Sequence, residues 1–354
     1  MRQLDSRDNV NFTLKLFDTL VTHIATYGSE IWGPTLFGKL NSTNFMTTCD
    51  TAIIENLNTK LCKYLLGVGK KTTHAAIKGE LGRFPLLITI LTNTLRYWMR
   101  TCSLSPDGIV KKSYLDNLIN SCDTKTSWSH SIFRLLSYFD MELIWESQGE
   151  INGTTYIQSF KKTMESKYAE LWLNYINRND SPNKLRTYST FKKQFCLENY
   201  ILSCKLSERR NFTKLRVSAH NLAIETGRFT RPKKTPISKR ICLLCDSNII
   251  EDEFHIIMNC SYYSEERTNF VDTLKEFSYF NFEHTETAFE FLMTYNAGDH
   301  DFAKALCNFV NKCFTKRDEA FLNYSTGPGS KALLVTNIEF LRLGKISLTS
   351  TLDL

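Results

Sequence analysis

Four residues, Cys242, Cys245, His255 and Cys260, constrain this chain more than any other feature, because they read Cys-x-x-Cys, nine residues, His, four residues, Cys. Two cysteines this close let one tight turn aim both sulfurs at a single point. A His and a Cys five positions apart reach the same point from a helix or its end. The pattern predicts a structural Zn2+ site in which four protein ligands close the shell and leave no place for water. The competing reading is two reduced core cysteines beside an unrelated His and Cys. The acidic run Glu251, Asp252, Glu253 inside the loop has two readings as well: acceptors for the His255 ring, or a solvated charged turn.

Directly upstream lies the most basic stretch of the chain. Residues 201–240 carry Lys205, Arg209, Arg210, Lys214, Arg216, Arg228, Arg231, Lys233, Lys234, Lys239 and Arg240 against Glu208 and Glu225, a net +9 where the whole chain carries +7. The cations are interleaved with Phe212, His220 and Phe229, so phosphate pairing with some base stacking is one reading; a solvated surface is the other. Residues 251–300 reverse the sign to −9. His220 sits in a segment expected to be helical (Arg216 to Glu225) and reads as a packed histidine, not a ligand.

At 354 residues and 42% hydrophobic composition the chain has material for two or three domains and is not of the unfolded class. Apolar residues at helical spacing predict helices over Leu14–Ile24, Ile53–Leu65, Leu86–Cys102, Ile132–Phe139, Tyr156–Ile176, Tyr188–Leu202, Ser264–Glu276, His284–Tyr295 and Phe302–Leu322, with another starting at Ser105 and Pro106. Gly28 and the pair Gly67 and Gly69 are expected stops, Asn179–Asn183 a linker, and Arg228–Arg240 an extended strap. Trp32, Tyr64, Trp98, Trp145 and Trp172 are expected in the core. Cys49, Cys62, Cys102, Cys122, Cys196, Cys204, Cys307 and Cys313 read as reduced, mostly buried thiols. With no strongly alternating segment, no internal repeat, no signal-type leader and no long apolar run, the expected fold is mainly α: helical bundles with a small CCHC zinc knuckle, in a soluble intracellular protein, nuclear or cytoplasmic.

Several blocks together resemble the C-terminal region of non-LTR (LINE-type) retrotransposon reverse transcriptases. They are LFDTLVTHIATYGSEIWGP (Leu16 to Pro34), IENLNTKLCKYLLGVGKKT (Ile54 to Thr72), GELGRFPL (Gly79 to Leu86), LRVSAHNLAIETGRF (Leu215 to Phe229) and IEDEFHIIMNCSYYSEER (Ile250 to Arg267), in the family's order. The resemblance implies a thumb helix and its end at Tyr27, Gly28, Glu30, Trp32 and Gly33, and contacts of Lys70, Lys71 and Arg83 with an RNA–DNA duplex, although each of these three taken alone reads first as a solvated loop cation. It implies segments at 1–104 (thumb-like), 105–200 (connector), 201–240 (basic strap), 241–267 (knuckle) and 268–322 (C-terminal helices), with 323–354 a divergent tail. Such polymerases hold two metals on a Tyr-x-Asp-Asp motif and a third aspartate; no Asp-Asp dipeptide occurs here, and the room before Leu16 is too short for fingers and palm. The expectation is a fragment that binds RNA or DNA through Arg209, Arg210, Lys214, Arg216, Arg228, Arg231, Lys233, Lys234, Lys239 and Arg240 but does not polymerise, acting with a reverse transcriptase in trans, with no membrane and no small-molecule substrate. The alternative is a zinc-stapled structural or protein-interaction module whose basic strap pairs with the acidic helices.

Overall fold

Leu87, Leu91, Leu95 and Trp98 recur every three or four residues, and in a computed structural model of the chain they form the fully buried face of the Leu86–Cys102 helix. The same periodicity builds the longer Gly153–Ile176 helix, whose Phe160, Met164, Tyr168, Trp172 and Ile176 make one ridge of every fourth residue against it. Each such side chain contributes about 1.5–3 kcal/mol on burial. The structure describes residues 5–37, 45–120, 127–148, 153–178, 184–275, 277, 282, 285–294 and 300–326. Among them the fold is a mainly α-helical bundle without a sheet; the extended pairing consists of two isolated bridges, Leu81 with Leu197 and Ile241 with Ile250. No helix among the described residues is long and apolar enough to cross a membrane.

The C-terminal helix His300–Thr326 organises the second half of the molecule. Its Phe302, Leu306, Phe309, Val310 and Cys313 are buried, and it packs on the Leu206–Arg216 and Ser264–Leu274 helices. Phe309 stacks flat on Phe270 at 4.7 Å. One apolar cluster runs from Val10 to Phe314 through both halves.

Most helices stand where periodicity places them, and the departures have local causes. The first helix, Val10–Leu16, passes into a π turn, Phe17–Thr22, and ends before Gly28, which adopts a left-handed φ of 67°. The expected Tyr188–Leu202 helix is two short ones, Tyr188–Phe191 and Asn199–Ser203. Between them Lys192 turns inward, donating to the Cys196 carbonyl at 2.9 Å and pairing with Glu198, and this closes a loop in place of helical turns. The Ser105–Pro106 start becomes a turn, and the helix begins at Ile109. The helix His74–Leu81 carries no expectation from the sequence.

Trp98 and Trp172 are fully buried and Trp145 stacks on Trp98 at 5.4 Å, but Trp32 and Tyr64 are exposed. Cys196 is exposed too, unlike Cys49, Cys62, Cys102, Cys204, Cys307 and Cys313. The Asn179–Asn183 linker, Cys122 and the tail beyond 326 lie outside the described residues.

Candidate metal centre

Cys242 lies on a short two-stranded turn, held by Cys242 N–H donating to Ile249 O at 2.8 Å and Glu251 N–H to Arg240 O at 2.9 Å. Asn248 takes a left-handed φ of 55° at the tip, a conformation that asparagine tolerates better than most residues. Cys245 projects from this turn. His255 opens a π turn, His255–Asn259, whose backbone N–H is capped by Asp252 at 2.8 Å, and Cys260 closes it by donating to His255 O at 2.8 Å. The ligand atoms of all four residues lie within 4.8 Å of one another. Cys242 Sγ is 3.9 Å from Cys260 Sγ, and Cys245 Sγ is 3.4 Å from His255 Nε2. Tetrahedral Zn2+ with ordinary bond lengths places sulfurs about 3.8 Å apart and sulfur and nitrogen about 3.5 Å apart. Donor set and spacing therefore fit a metal ion of this kind. The hydrogen bond to Cys260, then burial, pushes the Cys242 thiol up to about 12, while that same bond holds Cys260 low.

The loop acids do not serve the His255 ring. Its Nδ1 is buried and has no hydrogen-bond partner among the described residues. Glu251 and Glu253 are buried rather than solvated, and both point into the protein. Glu251 forms a two-point pair with Arg317 at 2.8 and 2.9 Å and accepts from Ala223 N–H at 2.6 Å. Glu253 meets His220 at 2.9 Å, Arg186 at 2.6 Å and Thr187 at 3.1 Å. Burial alone would raise its carboxyl, but His220 and Arg186 overcome this and bring it to about 2. Arg267, also buried, donates to Ile257 O and Cys260 O at 2.9 Å and so fixes the end of the π turn. The candidate metal loop is thus stapled to two helices by Arg267 and Arg317 and to the turn before Tyr188–Phe191 by Arg186. Sequence reading missed all three, because each is remote in sequence or hidden within a charge pattern. His220 is not helical; it sits in the turn after Leu206–Arg216, where Ser218 takes a φ of 52°.

The basic stretch divides into an inward and an outward half. Arg216 is 1% exposed: it binds Glu80 through two bonds of 2.9 Å, lies 3.1 Å from Glu198, and is stacked among Phe191, Tyr200 and Phe212. Arg209 is wholly buried, donating to Cys204 O, Leu65 O and Arg7 O. Arg240 is buried and donates to Ile224 O at 2.6 Å and Thr235 O at 2.9 Å. Arg210, Lys214 and Arg228 are half-buried, Arg228 within 3.0 Å of Glu225. Arg231, Lys233, Lys234 and Lys239 are exposed. Beside them Lys71 lies over the Phe229 ring at 5.4 Å, and Lys184 donates to Lys71 O at 3.2 Å. The ten candidate cations do not form one patch. No family model matches this sequence, and no curated protein or solved structure is detectably similar to it.

Proposed function

We propose that this chain is a non-catalytic, zinc-stapled helical module that works by binding other macromolecules. The observation that carries the reading is the inward use of charge around the knuckle. Glu251 and Glu253 join Arg317, Arg186 and His220 across the fold, so the metal loop and the helices around it are built as one rigid support. Zn2+ held by three thiolates and an imidazole has no open coordination site, which suits a staple and not a hydrolytic centre. Chelation tests this directly. The purified chain should carry about one zinc, and its removal at neutral pH should lower the unfolding midpoint by several degrees, an effect that Cys245→Ser reproduces. A chain with no bound zinc, or one indifferent to the chelator, would overturn the reading.

A second reading is supported by the outward half of the basic stretch. Arg231, Lys233, Lys234 and Lys239 are exposed and take part in no ion pair among the described residues, and Lys71 lies over the nearby Phe229 ring, a combination of cations and a ring suited to a nucleic-acid backbone. Together with the resemblance to LINE-type reverse transcriptases, this makes RNA or DNA the partner class, with a polymerase supplied in trans.

A further inference from the structure

The first helix buries little of its apolar surface against the rest of the protein. Over its run from Val10 through the π turn to Ala25, the buried residues are Val10 and Thr22. Leu14 packs on the core from the side, and the Asp18 carboxylate accepts from Arg83 at 2.8 Å. The outer face is apolar and open. Phe12, Leu16, Leu20 and Ile24 recur every fourth residue, and Tyr27 and Ile31 carry exposed apolar surface past the Gly28 turn; these six are between 45% and 88% exposed. A large apolar side chain carries about 150–250 Å², so together they leave on the order of 700 Å² in water. Apolar patches of this size mark interaction sites, and each side of a standard protein interface buries about 800 Å².

Three features select what covers it. The row reads alike from either end, a bulky side chain, two leucines and a bulky side chain, and a two-fold contact needs such a self-complementary surface. Rows of every fourth residue are the ridges through which helices interlock. Beside the row runs a second exposed one, Asn11, Lys15, Thr19 and His23, with a single formal charge at neutral pH. Two copies of this face therefore meet without strong repulsion, and a phosphate backbone finds little on it to hold. We propose that the Phe12–Ile24 ridge is a homodimer interface, covered by the same ridge of a second copy running antiparallel to it. Leu16 of each copy then meets Leu20 of the other at the two-fold axis, with Phe12 and Ile24 flanking them. The contact uses no residue of the metal loop or of the basic stretch 201–240.

The test uses the full chain. An interface of this size holds in the micromolar range or tighter, so at about 100 µM the wild type should scatter light as twice its 41.0 kDa. The double substitution Leu16→Glu with Leu20→Glu sets like charges across the axis and should raise the dissociation constant at least about hundredfold. Both side chains are exposed in the single copy, so its unfolding midpoint should not move. Leu16→Lys with Leu20→Lys should likewise leave a monomer, and mixing the two variants should restore a dimer, because each carboxylate then faces an ammonium. A photocrosslinking side chain in place of Ile24 should link to residues 10–31 of a second copy. A wild type that stays at 41.0 kDa, a Glu variant that associates as tightly as the wild type, a mixture that stays monomeric, or a crosslink from position 24 into the chain's own residues 327–354 each overturn the proposal.

Discussion

Arg216 shows what a charge in this molecule is for. A surface arginine can be lost at little cost, but this one is enclosed by three aromatic rings and shared by Glu80 and Glu198. Arg216→Met leaves Glu80 buried without its bonded cation and Glu198 with Lys192 alone, and we expect a loss of about 3–5 kcal/mol in urea unfolding. Glu80 gives the acid-side counterpart. Burial would raise its carboxyl, but the Arg216 charge and hydrogen bonds outweigh this and hold it below the ordinary glutamate value of 4.5. A carboxylate whose folded pKa is depressed contributes stability that is fully present above the unfolded value and is lost as pH falls through the folded one. Stability should therefore decline below about pH 4.5 in the wild type, and this acid-side decline should be shallower in Glu80→Gln, although that variant is less stable at neutral pH. Parallel acid-unfolding curves for the two proteins would refute the assignment.

At the scale of elements, single residues set where helices stop and how they meet. Gly82 ends the His74–Leu81 helix with a φ of 56°, and a Cβ there would lie 2.6 Å from Leu197 N, in the segment that bridges back to Leu81. Gly82→Ala combines left-handed strain with a clash against backbone, so it should destabilise the chain by about 1–3 kcal/mol. Thermal unfolding of that variant checks it. The metal loop is assembled the same way, from a tight turn carrying two sulfurs and a π turn carrying the imidazole and the third sulfur. Ile256, Ile257 and Met258 between them are fully buried, so the turn that presents His255 is also a plug of the core. A spacing rule finds the ligands because they are local. It finds nothing of Arg317 or Arg186, whose partners lie 66 and 67 residues away.

For the whole molecule, the division of the basic stretch decides which partners are physically accessible. Replacing Arg231, Lys233 and Lys234 together by alanine should leave stability within about 0.5 kcal/mol. If the outward half grips a phosphate backbone, the same change should weaken RNA or DNA binding and reduce its salt slope by up to about three. A wild-type affinity that does not fall as salt rises excludes that grip and leaves the module to protein partners. The mainly helical class was legible because 3.6-residue periodicity is a local property, strong in segments such as Phe160 to Ile176. Trp32 and Tyr64 were misplaced in the core because periodicity marks an apolar face without saying whether anything covers it; Ile24, Tyr27 and Ile53 are exposed in the same part of the chain.

The sequence by itself determined the helical class and the four residues of the candidate metal cluster, since both depend on spacings of a few positions, within which chain geometry leaves little freedom. Only the tertiary structure decided the meaning of charge. Residues 201–240 are strongly basic in sequence, yet Arg209, Arg216 and Arg240 are enclosed by packing while Arg231, Lys233, Lys234 and Lys239 face water. Whether an ion is buried or solvated depends on which distant segment covers it, and that is settled when the helices pack.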